Sequence, residues 1–159
     1  VVQYLMAHPE IKCILGNHEH FYLKGKKKKK SFVRLREAFG IHDEGIKAWL
    51  RTLPYYLENK DWILVHGGLP KGKNHSLSKI DPEILTTIRL DKNERPWYES
   101  YKGDRRVIFG HWAMRGLVAY KNVIGLDSGC VYGGSLTAYI LPDDRWLSVP
   151  ARAEYCRPK

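Results

Sequence analysis

The segment Trp62-Ile63-Leu64-Val65-His66-Gly67-Gly68 joins a short apolar run to a histidine and two glycines. Four consecutive apolar residues that end at turn-forming residues are typical of a buried β-strand. The glycines allow the backbone to turn sharply and to approach a ligand closely. The segment therefore predicts a strand that ends in a polar loop at the edge of a sheet.

Two other segments repeat this arrangement. Ile11–Leu15 precedes Gly16-Asn17-His18-Glu19, and Val107–Phe109 precedes Gly110-His111. Loops at one rim of a sheet are common places for functional residues, and imidazole nitrogens with an amide oxygen suit Zn, Mn or Fe. One such histidine is most often a structural or surface residue. Three histidines at the ends of successive predicted strands indicate a metal site.

The remaining sequence predicts helices first and strands later. Apolar residues at helical spacing favour helices over Ser31–Phe39 and Asp43–Leu53. Asp81-Pro82 is typical of a helix start, with Asp81 as the N-cap. Four short apolar segments near the end predict strands: Leu117–Tyr120, Val123–Leu126, Leu136–Leu141 and Trp146–Val149. This order predicts an α+β layered domain.

Composition indicates a folded protein of the reducing cytoplasm. Its 159 residues fit one compact domain, and 43% are hydrophobic. The three cysteines, Cys13, Cys130 and Cys156, are widely spaced and form no Cys-x-x-Cys pair. No apolar run approaches the roughly 20 residues needed to cross a bilayer. We therefore expect a cytoplasmic protein without a membrane partner.

The net charge of +10 is partly concentrated in the lysine-rich run Lys24–Lys30. Such a run can attract nucleic acid or anionic lipid. No aromatic-rich platform or basic helix accompanies it, which favours a solvated loop over a nucleic-acid surface. An anionic phosphate substrate would also suit a basic protein.

Three short motifs carry a resemblance to a known family. Gly16-Asn17-His18-Glu19, His66-Gly67-Gly68-Leu69 and Gly110-His111-Trp112 resemble three of the five signature blocks of calcineurin-like phosphoesterases, in the phosphoprotein phosphatase branch. Leu126–Ala138 resembles a segment of its bacterial members, including symmetrical diadenosine tetraphosphatases. The match spans nearly the whole chain in the family's order. It implies a layered β-sandwich flanked by helices, with residues 1–159 forming one metallophosphoesterase domain.

The resemblance also implies roles for individual residues. Asn17, His66 and His111 would ligate one metal of a pair, and His18 would protonate the leaving oxygen. Arg89 lies roughly where relatives have a phosphate-binding arginine, and a planar guanidinium suits phosphate; a surface arginine is the alternative reading. In the complete enzyme two divalent ions (Mn, Fe or Zn) would activate a shared water for in-line attack.

The sequence lacks the two family blocks that would supply carboxylate ligands to the metal site. The family begins with Gly-Asp-x-His-Gly and Gly-Asp-x-x-Asp-Arg-Gly blocks, and no Asp in these 159 residues is followed two positions later by His. Three neutral ligands should hold at most one divalent ion, and weakly. We therefore expect the chain to be the C-terminal two-thirds of such a domain, without its N-terminal strand and helix.

The expected function is metal-dependent hydrolysis of phosphate esters by a metal-bound hydroxide, like a protein serine/threonine phosphatase acting on phosphoproteins. Two alternatives stay open: a symmetrical dinucleoside tetraphosphate hydrolase, and a catalytically inactive module that binds anionic partners through its basic loop. Two side chains have uncertain roles. Asp127 either supports a ligand histidine or stabilises a turn. His20 could line the site, but an exposed position is expected for it.

Overall fold

The computed structural model describes residues 1–25, 30–72 and 76–157. Within these ranges the chain forms five α-helices and seven β-strands. The helices are α1 (Val2–Ala7), α2 (Asn17–Leu23), α3 (Lys30–Phe39), α4 (Asp43–Thr52) and α5 (Pro82–Thr87). The strands are β1 (Tyr56–Glu58), β2 (Trp62–Val65), β3 (Arg106–Phe109), β4 (Val118–Tyr120), β5 (Val123–Gly125), β6 (Ser135–Ile140) and β7 (Arg145–Pro150).

A five-stranded mixed sheet has the strand order β1-β2-β3-β5-β4. The three inner strands β2, β3 and β5 are parallel, and the edge strands β1 and β4 run antiparallel to their neighbours. Ile63 pairs with Val107, which in turn pairs with Val123, and all three are buried. Inner parallel strands are covered on both faces and are therefore apolar. Because β2 and β3 are parallel, the loops that follow them leave the sheet at the same edge.

The strands β6 and β7 form a separate antiparallel hairpin, with Leu136 opposite Val149. The Arg106 guanidinium at the start of β3 ties this hairpin to the main sheet. It donates to the Tyr139 hydroxyl at 3.1 Å and forms an ion pair with Asp144. A mixed sheet with helices confirms the predicted α+β class, and the second sheet has two strands in the described part of the chain.

Two apolar clusters hold these layers. The first lies among the N-terminal helices and contains Leu15, Tyr22, Phe32, Ile46 and Leu50. The second lies against the main sheet and includes Leu85, Trp97, Val107 and Phe109. Tyr55 packs against both clusters. No helix in the described ranges is both long enough and apolar enough to span a membrane.

The predicted helices over Ser31–Phe39 and Asp43–Leu53 correspond to α3 and α4. Asp81 caps α5 as expected, because its Oδ1 accepts from the Glu83 N–H at 2.7 Å. The strand predicted over Ile11–Leu15 is wrong: this segment joins no ladder in the described residues, and the Leu15 N–H donates instead to the Pro54 carbonyl at 2.9 Å. A strand needs a ladder partner, which an apolar run does not itself supply.

Only part of the lysine-rich run can be compared with its prediction. Lys24 lies just after α2, and its Nζ pairs with the Glu83 carboxylate on α5 at 3.0 Å. Residues 26–29 lie outside the described ranges, so the solvated-loop prediction for them stays a prediction.

Candidate active site

Two histidines follow neighbouring parallel strands. His66 comes directly after β2, and His111 lies two residues beyond the end of β3. The Gly110 N–H donates to the His66 carbonyl at 2.9 Å, which joins the two loops. Their ring centroids lie 5.2 Å apart, with the planes inclined by 57°. His111 has a φ of 66°, a backbone conformation that costs free energy in a non-glycine residue and often marks a functional position.

Helix α2 brings Asn17 to the same place. The Asn17 Oδ1 lies 3.0 Å from the His66 Nε2. The motif that was predicted as a loop is the start of this helix, because the Glu19 carboxylate accepts from the Gly16 N–H at 3.1 Å. A Cβ atom on Gly16 would lie 2.9 Å from the His66 Cε1. The absence of a side chain at Gly16 therefore permits the contact between α2 and the His66 ring.

The C-terminal turn of α5 supports both histidine loops. The N–H groups of Gly67 and Gly68 donate to the Leu85 carbonyl at 2.7 and 3.3 Å. The His111 ring donates to the Thr87 carbonyl. The last carbonyls of a helix have no partner within it, so they are free to accept from such groups. Sequence reasoning missed Leu85 and Thr87, because both act through backbone oxygens that any residue would provide.

Both imidazoles are neutral at physiological pH. Burial lowers the pKa of His66 to about 4, assisted by the nearby His111 and His18. Burial also lowers the pKa of His111 to about 4; Arg89 and His18 add to this, and the bond to Thr87 opposes it. A neutral imidazole keeps the lone pair that binds a metal ion.

His18 and Arg89 lie at the border of this group. His18 is exposed on the first turn of α2, close enough to act electrostatically on His66 and His111, which are both partly buried. Arg89 is exposed as well, and its Nη2 lies 3.5 Å from the His111 carbonyl oxygen. The structure thus brings together all five residues that the sequence had singled out for this site.

The structure also places Asp127 and His20, the two side chains whose roles the sequence left open. Asp127 accepts from the Gly129 N–H at 3.2 Å, which is the turn-stabilising alternative. The expectation that His20 is exposed is wrong: it is 3% exposed, and its Nδ1 lies 3.0 Å from the Tyr55 hydroxyl. It faces the interior because α2 continues through it as a helix, with His20 packed towards α5.

The donor atoms fit part of a metal coordination sphere. Two atoms that each bind an ion at about 2.1 Å, at right angles, lie about 3.0 Å apart, and this matches the Asn17 Oδ1 to His66 Nε2 distance of 3.0 Å. In residues 1–25, 30–72 and 76–157 there is no group of three or more His, Cys, Asp or Glu side chains that could hold a metal. The described chain therefore offers two imidazoles and an amide to an ion, without a carboxylate.

A cavity of about 580 Å³ lies away from the histidine site. Trp62 and Arg106 line it, and they are the first residues of β2 and β3. Because His66 and His111 follow the other ends of these strands, this cavity is at the opposite edge of the sheet and does not belong to the histidine site.

Comparison with known proteins identifies a family. The family model described as calcineurin-like phosphoesterase matches residues 1–145. The chain is 29% identical over 141 residues to the asymmetrical bis(5'-nucleosyl)-tetraphosphatase PrpE of Geobacillus sp. (strain WCH70). This alignment covers 82% of this chain and 52% of that protein. It is 47% identical over 57 residues to the symmetrical bis(5'-nucleosyl)-tetraphosphatase of Janthinobacterium sp. (strain Marseille), covering 34% of this chain and 21% of that protein.

A solved structure shows the same fold. A crystal structure described as that of a candidate diadenosine tetraphosphatase matches with a TM-score of 0.79 and 29% sequence identity, over 94% of this chain and 72% of that one. The chain spans about half the length of the asymmetrical relatives from Oceanobacillus iheyensis and Geobacillus, 45% and 52%.

Proposed function

The chain belongs to the calcineurin-like phosphoesterase family. We propose that its histidine site serves metal-dependent hydrolysis of phosphoric esters and anhydrides, with dinucleoside polyphosphates as substrates. The observation that carries the proposal is the 3.0 Å approach of the Asn17 Oδ1 to the His66 Nε2, beside the ring of His111.

Asn17, His66 and His111 would hold a divalent ion. When bound, such an ion neutralises phosphoryl oxygens and makes water a nucleophile near neutral pH. The protein prepares its ligands for this role. Burial keeps both imidazoles unprotonated, and the bond from His111 to the Thr87 carbonyl fixes the orientation of that ring.

His18 and Arg89 would act on the substrate directly. His18 stands exposed on the first turn of α2, next to the proposed ligand Asn17, so that a protonated ring can donate to the leaving oxygen. The guanidinium of Arg89, held near the His111 carbonyl, is suited to pair with two phosphoryl oxygens. Together they neutralise charge on the leaving and non-bridging oxygens.

A complete site needs carboxylates that the described residues do not bring to it. We assign them to the two acidic blocks of the family, Gly-Asp-x-His-Gly and Gly-Asp-x-x-Asp-Arg-Gly. Carboxylate ligands would compensate the positive charge of bound divalent ions, which neutral amide and imidazole ligands cannot do. The activity proposed here is therefore that of the site once these blocks are supplied.

The preference for dinucleoside polyphosphates follows the relatives, which are named as asymmetrical and symmetrical tetraphosphatases. A net charge of +10 also suits a substrate with several phosphate charges. Phosphoproteins, the substrate expected from the signature blocks alone, are the competing class.

The test is an activity assay on a fusion of this chain to an N-terminal segment of a relative that carries both acidic blocks. With Mn²⁺, the fusion should hydrolyse diadenosine tetraphosphate, and His66→Ala should reduce kcat/KM at least a hundredfold, whereas the exposed His42→Ala should not. Chromatography of the products separates the two cleavage modes, since symmetrical cleavage yields only ADP and asymmetrical cleavage yields AMP and ATP. Turnover of a phosphoserine peptide without turnover of the tetraphosphate would assign the site to protein phosphatases, and activity that survives His66→Ala would contradict the proposal.

A further inference from the structure

A groove lies along the edge strand β4. Its volume is about 470 Å³, and it is lined by β4, by the 3₁₀ helix Trp97–Ser100 and by the segment that precedes β4. The side chains in its lining include those of Tyr98, Glu99, Arg115, Leu117 and Tyr120. The proposed metal ligands are not among its lining residues, so the groove is separate from the histidine site.

The groove begins at the edge of the sheet where the histidines lie. Phe109 at the end of β3 pairs with Gly125, and Gly125 pairs with Val118 at the start of β4. Neighbouring strands lie about 4.8 Å apart, so the start of β4 is about 10 Å from the end of β3. His111 lies two residues beyond the end of β3, and Arg115 lies three residues before the start of β4. A substrate with several linked phosphates is therefore able to extend from His111 to the groove.

Arg115 is oriented by two aromatic neighbours. Its Nε donates to the Tyr98 hydroxyl at 2.9 Å, and its Cζ lies 6.0 Å from the centroid of the Trp112 ring. Tyr98 is buried, so this acceptor has a fixed position. Arg115 itself is exposed, and its two Nη groups take no part in the bond to Tyr98. A guanidinium held in this way can pair with two oxygens of one phosphate at a small cost in conformational entropy.

The remaining walls suit a nucleoside. Leu117 is 48% exposed, and the Tyr120 ring packs against Tyr98 with the centroids 5.6 Å apart. An apolar side chain and an aromatic ring can contact a flat base. Glu99 is exposed as well, and its carboxylate can accept hydrogen bonds from ribose hydroxyls or from the amine of a base. The groove thus combines a cation for phosphate with apolar and acceptor groups for a nucleoside.

An extended peptide is the alternative occupant, because β4 is an edge strand of the main sheet in the described part of the chain. Peptides bind such edges by adding a strand. However, β4 has only three residues, which provide few ladder hydrogen bonds. A phosphopeptide with one phosphate would also bring none to Arg115 once that phosphate is beside the ion, whereas a dinucleoside polyphosphate brings several.

We propose that this groove binds the distal nucleotide of the substrate, with Arg115 paired to a phosphate other than the one beside the ion. The proposal rests on the function proposed above, because only a substrate with several linked phosphates reaches both places. Leu117 and Tyr120 contact the base, and Glu99 accepts from the ribose or the base. The groove thereby distinguishes dinucleoside polyphosphates from simple phosphate monoesters.

Binding of ATP to the 159-residue chain in EDTA tests the groove without the metal site. Isothermal titration compares ATP with methyl triphosphate, which has the same phosphates but no nucleoside. We expect ATP to bind about fivefold more tightly, since base contacts add to the affinity. Arg115→Gln should weaken ATP binding about tenfold. Tyr98→Phe should weaken it by a smaller factor, because this variant keeps the ring and removes only the acceptor that orients Arg115.

Arg51→Gln is the matched control for the titrations. Arg51 is an exposed arginine of α4 outside the groove, and its replacement changes the net charge by the same amount. Its affinity for ATP should equal that of the wild type.

Kinetics of the fusion described above test whether the ion and the groove bind one molecule. Arg115→Gln should lower kcat/KM for diadenosine tetraphosphate about tenfold more than kcat/KM for p-nitrophenyl phosphate, because a single phosphate beside the ion does not reach Arg115.

Weaker ATP binding in Arg115→Gln but not in Arg51→Gln, together with the selective kinetic loss, supports the proposal. If thermal melting shows that Arg115→Gln is unfolded, Tyr98→Phe decides. Equal weakening by Arg115→Gln and Arg51→Gln would mean attraction by net charge alone and overturns the groove, as does absence of ATP binding in EDTA. Equal affinity for ATP and methyl triphosphate overturns the assignment to a nucleotide. An equal kinetic loss on both substrates would place Arg115 at the reacting phosphate, which also overturns it. A fusion that is inactive on both substrates contradicts the proposed function, whereas the titrations in EDTA still decide whether the groove binds a nucleotide.

Discussion

The His66 Nε2 lies 3.0 Å from the Asn17 Oδ1, although the two residues are 49 positions apart in the chain. Asn17 begins α2 and His66 directly follows β2, and the absence of a side chain at Gly16 permits their approach. His66 is mostly buried and uncharged near neutral pH. An amide oxygen beside a neutral imidazole offers two donor atoms close enough to bind the same metal ion.

Metal binding by the 159-residue chain is the most direct consequence. We expect Mn²⁺ or Zn²⁺ to bind with a stoichiometry of at most one, because only neutral donors converge in the described residues. His66→Ala should raise the Kd at least about tenfold, since it removes one of three donors. Isothermal titration calorimetry measures both quantities, and the exposed His42→Ala is the control. Two ions bound with equal affinity would show that carboxylates of this chain reach the site.

The pH dependence of stability follows from the partly buried imidazoles of His66 and His111. In the folded chain their pKa is about 4, whereas a histidine in an unfolded chain titrates near 6.5. The unfolded state therefore binds more protons between these values, so their contribution is fully present above about pH 6.5 and is lost as the pH falls towards 4. For His66 the loss is about 3 kcal/mol at most. Chemical denaturation in EDTA from pH 7 to pH 4 should show a smaller loss for His66→Gln than for the wild type. A wild-type stability that stays constant over this range would contradict the burial of His66.

The two glycines after His66 should tolerate no side chain. A Cβ atom on Gly68 would lie 2.2 Å from the Trp97 ring, and the φ of Gly68 is 153°. A Cβ atom on Gly67 would lie 2.7 Å from the Thr86 backbone. We expect Gly67→Ala and Gly68→Ala each to cost about 2–4 kcal/mol in unfolding free energy, and to weaken metal binding because they displace the His66 loop.

The matched control for these variants is Gly45→Ala. Gly45 lies in α4, and an added Cβ atom would meet nothing within 4 Å. Alanine in a helix should stabilise the chain by about 0.5–1 kcal/mol. Urea denaturation compares all three. A Gly68→Ala variant as stable as Gly45→Ala would mean that the Trp97 contact is not formed.

His18→Ala should act on the chemical step and not on metal binding. In the active fusion we expect kcat for a phosphoserine peptide, whose alkoxide leaves poorly, to fall about 10²–10⁴-fold. The loss with p-nitrophenyl phosphate should be much smaller, because nitrophenolate leaves without a proton. Kinetics with both substrates across a Mn²⁺ titration provide the measurement. An equal loss on both substrates that excess metal restores would make His18 a metal ligand.

Much of the secondary structure could be predicted because its signals are local. The apolar runs before His66 and His111 form strands as expected, and apolar spacing located α3 and α4. Asp81 is both the predicted and the observed cap of α5. Strand, helix and cap preferences depend on a few neighbouring residues, so the sequence was sufficient for them.

The sequence by itself also identified Asn17, His18, His66, Arg89 and His111 as the residues to examine, through their motifs. Only the tertiary structure decided how they are held. Ile11–Leu15 does not become a strand, because pairing depends on partners remote in the chain. Leu85 and Thr87 support both histidine loops with backbone carbonyls, and a carbonyl has the same chemistry in every residue. The sequence therefore determined which side chains are available for the site, and packing determined which backbone atoms orient them.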